Sequence, residues 1–106
     1  MIDYNDADKA LNYLKGTDRE AAQAKALLSA LDDQKKTILA VEFLNCEGSA
    51  AERSQRALAS DMYIEHIIKV KDATFDFELL RNQRKSAELQ IEMWRSVNSN
   101  RNKGNI

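Results

Sequence analysis

The sequence predicts an all-α protein: an antiparallel helical hairpin with one long C-terminal helix, assembling into a homo-oligomeric helical bundle. Three observations predict it. The 106 residues include no Pro and three Gly, so few positions interrupt a helix. Apolar residues recur at three- and four-residue steps, and no run of alternating β-branched residues bounded by turn residues marks a strand. The composition, 31% charged, 43% hydrophobic and 7% aromatic, is that of helical and coiled-coil chains.

The stretch from Asp61 to Val97 justifies the long helix. It has neither Pro nor Gly, and as a helix it is about 55 Å long, too long for a compact domain of this size. It carries two apolar stripes. One runs through Val70, Ala73, Phe77, Leu80, Ala87, Ile91 and Trp94. The other runs through Ile64, Ile68, Phe75, Leu79, Leu89, Met93 and Val97. At about 100° per residue they lie roughly 155° apart, on nearly opposite faces. A helix on a globular core needs one stripe, so two stripes imply two neighbours. The first belongs to the hairpin. The second is the expected oligomer interface, because a chain this small has difficulty burying enough surface alone.

Four further segments complete a single helical domain over residues 1–106. Residues 4 to 15 read as a short helix, with Tyr4, Ala7, Leu11 and Leu14 on one face, Asp3 or Asn5 as its cap and Gly16 at its end. Thr17-Asp18-Arg19-Glu20 has the form of a capping box, so a second helix is expected over about 18–45. Its main face is Ala24, Leu27, Leu28, Leu31, Ile38, Val41 and Leu44 or Asn45, with Leu39 and Phe43 off it. Ser49-Ala50-Ala51-Glu52 is another capping box, opening a short helix over about 50–58 before the long one over about 61–97. Residues 98–106 are polar and contain Gly104, which predicts a flexible tail. The two N-terminal helices together match the long helix in length. An antiparallel hairpin therefore places Asp3, Asp6 and Asp8 near Arg95 and Arg101.

The net charge of −1 hides an asymmetry. From Arg81 onward six basic residues face two acidic ones, whereas residues 1 to 33 carry seven acids against four bases. Arg81, Lys85, Arg95, Arg101 and Lys103 are the candidate contacts for nucleic acid or an acidic partner. Arg84 differs: it lies on the first stripe between Leu80 and Ala87, so its charge requires a partner near the core, a register or salt-bridge role.

Catalytic, cofactor and metal sites are not expected. His66 is the single histidine, and beside Glu65 and isoleucines it has no second ligand at a usable spacing. Cys46 is the single cysteine, so no internal disulfide forms and a reducing compartment is implied. Gly-rich phosphate loops, HExxH and EF-hand patterns are missing from the sequence. No apolar stretch approaches membrane-spanning length, and the start, MIDYNDAD, is acidic where a signal peptide is basic. The expectation is a cytoplasmic, non-enzymatic protein without membrane contact.

The segment ELLRNQRKSAELQIEMWRS, with the upstream KKTILAVEFLNCEGSAAERSQRALAS, resembles small helical proteins of tailed bacteriophages and prophages, commonly encoded among early replication and recombination genes. The resemblance covers roughly Lys25 to Arg101 and rests on helical, charge-rich text. It implies a bacterial host cell and an accessory role in recombination or replication, through contact with itself, with a phage or host recombination protein, or with single-stranded DNA. It carries over no catalytic residue. The competing expectations are a structural, scaffold-like assembly protein and an inhibitor of a host nuclease.

Overall fold

The structure is a computed structural model that describes residues 2–104, with side chains described as far as residue 101. Three helices and no strand occur among the described residues: α1 (Tyr4–Asn45), α2 (Ala50–Leu58) and α3 (Asp61–Gly104). The all-α class and the long C-terminal helix are as the sequence predicts.

Two boundaries differ. The break expected at Gly16 does not occur, and α1 runs through it to Asn45. The Thr17 hydroxyl donates back to the Tyr13 carbonyl at 2.7 Å instead of accepting an N–H, so the apparent capping box does not cap. A mid-helix glycine costs only about 1 kcal/mol relative to alanine, which local contacts can offset. The second difference is the expected tail: α3 continues beyond Val97 to Gly104, leaving residues 105 and 106 outside the description.

The other helix ends follow their capping chemistry. Asp3 starts α1, accepting from the Asp6 N–H at 2.9 Å while Asp6 accepts from the Asp3 N–H at 3.2 Å. Gly48 supplies a φ of +117° between α1 and α2. Ser49 then caps α2 by accepting from the Glu52 N–H at 3.2 Å. The chain breaks at Ala59 and Ser60; the Ser60 hydroxyl accepts from the Tyr63 N–H at 3.3 Å and donates to the Ala57 carbonyl at 2.7 Å. That hydroxyl closes one helix and opens the next.

Contacts divide the chain into two units, 1–22 with 78–106, and 23–77. In the first unit the N-terminal part of α1 lies antiparallel to the C-terminal part of α3. Tyr4 meets Trp94 edge to face with ring centres 5.9 Å apart, and Tyr13 donates to Gln83 at 3.1 Å. Ala7, Ala10 and Ala87 are buried at this seam, where small side chains let the helices approach closely.

In the second unit the rest of α1 lies antiparallel to the start of α3, with α2 beside them. Ala57, Ala73 and His66 are buried. The Arg53 guanidinium sits 4.3 Å over the Phe43 ring, and its Nε donates to the Phe43 carbonyl at 3.1 Å. In this unit α1 buries a face other than the predicted one. Ala24, Leu28, Leu31 and Ile38 are half-buried, but Leu27, Val41 and Leu44 are exposed, and Leu39 and Phe43 are half-buried in their stead. The reason is α2: it forms a groove with Leu39 and Phe43 through Ala57 and Leu58, covering a side of α1 that helical period alone does not single out.

Candidate interaction surface

The first stripe of α3 is its inner face in both units. Val70, Phe77, Leu80, Arg84, Ile91 and Trp94 are half-buried and Ala73 and Ala87 buried. Arg84 has the partners its position requires. Its guanidinium donates to the Leu14 carbonyl at 2.8 Å, the Thr17 hydroxyl at 2.7 Å and the Asp18 carboxylate at 2.6 Å. Thr17 and Asp18, which read in sequence as a helix start, are acceptors for this arginine.

The second stripe is uncovered. In unit 23–77, Ile64, Ile68 and Phe75 are exposed, Phe75 by 66%. In the other unit, Leu79, Leu89 and Met93 are exposed by 47, 50 and 56%. Val97 departs from the predicted set: it is half-buried and lines a groove of about 400 Å³ with Ile2, Tyr4 and Trp94. Among the described residues the buried apolar side chains are all alanines, and no large side chain is fully buried.

The two parts of the stripe differ in their surroundings. Beside Ile64, Ile68 and Phe75, one flank carries the exposed carboxylates Asp61, Glu65, Asp72 and Asp76. Beside Leu79, Leu89 and Met93 the face is completed by exposed Asn82, Gln83, Ser86 and Gln90, with no charged residue on it. The charges of that stretch lie elsewhere: Arg84 points inward, and Arg81, Lys85, Glu88, Glu92 and Arg95 share a third side of the helix.

The basic candidates are not gathered into a positive patch. Arg81 pairs with Glu78 at 3.2 Å and Lys85 with Glu88 at 3.8 Å. Arg95 is exposed on the same side as Glu88 and Glu92. Arg101 lines the Tyr4–Trp94 groove together with Asp3, the one acid–base pair of the expected set placed at a common groove. The Lys103 side chain lies outside the described residues.

His66 is 5% exposed, and its Nε2 lies within hydrogen-bond distance of the Leu31 carbonyl, a structural placement between helices. Cys46 is free and half-buried. Among the described residues no group of three or more His, Cys, Asp or Glu is arranged to hold a metal, and no helix is long and apolar enough to cross a membrane. In comparisons with protein-family models, curated proteins and solved structures, nothing matches this chain.

Proposed function

We propose that the chain is a non-enzymatic helical interaction module, a phage-type accessory protein that acts in recombination or replication through protein–protein contact. The resemblance of its α3 segment to small phage proteins supplies the process. The single observation that carries the mode of action is the outer face of α3: large apolar residues stand in solvent along it, while among the described residues the buried apolar side chains are alanines. Large exposed apolar surface rimmed by polar residues marks protein contact sites. One rim beside Ile64, Ile68 and Phe75 is acidic, with Lys71 on the opposite rim, which suits a partner whose apolar helix face carries Lys or Arg along one edge. Nucleic acid is the weaker reading, because Arg81 and Lys85 are already paired with Glu78 and Glu88.

The test is crosslinking of the intact protein in the cells that naturally hold it, wild type against Phe75→Asp. The expected result is a crosslinked partner that disappears in the variant while helicity is retained. Identical crosslinks from both proteins overturn the reading. Salt-dependent binding of labelled single-stranded DNA that is lost in Arg81→Glu with Lys85→Glu returns the function to nucleic acid.

A further inference from the structure

We infer that the uncharged outer face of α3 in the first unit, formed by Leu79, Asn82, Ser86, Leu89 and Met93, pairs with the same face of a second copy of this chain. This deepens the reading of the protein as an interaction module and rests on it.

Three observations select a second copy as the occupant. The first is charge. Between Leu79 and Ser96 there are six charged residues, Arg81, Arg84, Lys85, Glu88, Glu92 and Arg95, and none lies within the face, which Lys85 and the preceding Glu78 border on one edge with opposite signs. A face that binds a partner of opposite sign carries its own sign, as the acidic flank near Phe75 does. A face that meets an identical face cannot carry one sign without placing like charges opposite each other, which costs stability. A charge-free face meets itself without that cost.

The second observation is the polar content of the face. Asn82, Ser86 and Gln90 bring both donors and acceptors, so they can satisfy one another across a twofold pairing. Ser86 lies between Leu79 and Leu89 and is small enough to admit a close approach of two helices. Leu79, Ser86 and Met93 recur at seven-residue steps, as do Asn82, Leu89 and Ser96, the spacing of a coiled-coil seam.

The third observation is surface. On this face the large apolar side chains Leu79, Leu89 and Met93 stand 47, 50 and 56% exposed. Among the described residues no large apolar side chain is fully buried, so covering this face adds apolar burial that the single chain does not supply. A second copy is the partner present at every folding event.

The experiment is sedimentation equilibrium of the intact chain across the micromolar range. The expected mass is twice that of one chain, and Leu89→Asp weakens association roughly a hundredfold or more, since it buries unpaired charge twice per dimer. Leu89→Asp also unfolds a protein whose folding needs the dimer, so a second measurement does not depend on it. In a Cys46→Ser background under mild oxidant, Ser86→Cys gives a disulfide-linked dimer and Arg95→Cys, on the charged side, does not. A single-chain mass throughout the range overturns the pairing. Equal crosslinking of the two cysteine variants overturns its location. A monomer that still captures a partner through Phe75 removes self-pairing and leaves the interaction module standing. A dimer with no Phe75-dependent partner does the reverse.

Discussion

The Arg84 guanidinium lies 2.6 Å from the Asp18 carboxylate, and the same arginine also holds the Leu14 carbonyl and the Thr17 hydroxyl. The Arg84 side chain is 21% exposed and that of Asp18 69%. The contact is therefore asymmetric. Removing the arginine withdraws a charged donor from three acceptors, whereas removing the carboxylate charge leaves two of them in place and a solvated partner. Arg84→Ala is expected to cost about 1.5–3 kcal/mol, the range for hydrogen bonds to a charged group. Asp18→Asn is expected to cost less than about 1 kcal/mol, as exposed ion pairs do. Urea denaturation of the two variants checks the order; equal losses would mean that the ion pair alone matters.

Gly16 offers a stabilising change. It sits inside α1, it is exposed, and a Cβ built on it meets nothing within 4 Å. Gly16→Ala is expected to raise stability by about 0.5–1 kcal/mol, because alanine loses less backbone entropy in a helix. Thermal melting followed by circular dichroism reads the effect. A lower melting temperature would show that the chain turns at this position.

Gly48 behaves in the opposite sense. Its φ of +117° suits glycine, and an added Cβ lies 2.7 Å from the Glu52 Oε2. The Glu52 side chain can swing away, but the backbone strain remains, so Gly48→Ala is expected to cost more than about 1 kcal/mol. Gly48→Ala with Glu52→Ala separates the two contributions: the loss persists if strain dominates and vanishes if the clash does.

Thr74 stands in the middle of α3, its hydroxyl bonded back to the Val70 carbonyl at 2.7 Å. Thr74→Pro removes a backbone donor and drives the ring into the preceding turn, with an expected cost on the order of 3 kcal/mol or more. An unchanged melting curve would show that α3 is not continuous there.

Lys35 supplies a pH dependence with a definite sign. The hydrogen bond its ammonium donates to the Asp32 carboxylate, followed by the charge of Asp32, raises its pKa above the ordinary lysine value. The ammonium keeps its proton longer in the folded chain, so the contribution is fully present below the unfolded pKa and is lost as pH rises through the folded value. The stability difference between wild type and Asp32→Asn is expected to be constant across the neutral range and to shrink as pH rises into strong alkali. A change near neutrality would assign it to another group.

Helix identity was legible because it depends on local terms. Freedom from Pro, the Ser49 cap, Gly48 before it and the Ser60 junction each act within four residues. Both stripes of α3 were legible for the same reason: helical period fixes which residues share a side. The partner of Arg84 was half legible. An arginine between Leu80 and Ala87 on an inner stripe demands acceptors, but only a seam that brings residue 84 to residues 14, 17 and 18 names them.

By itself the sequence determined the all-α class, the long helix, the position of the α2 segment and the existence of a second apolar face. These follow from backbone propensity and periodicity, which a chain carries before it folds. Tertiary structure alone decided that α1 runs through Gly16, since Thr17 and Asp18 can serve as a cap or as acceptors and only Arg84 chooses. It also decided that Leu39 and Phe43 turn inward in place of Val41 and Leu44, because α2 covers one side of α1. And it decided that Val97 sits in a groove with Tyr4 and Trp94 while Leu79, Leu89 and Met93 stand in solvent. The physical reason is common to all three: hydrophobic period says that a side must be covered, and only long-range contact says by what.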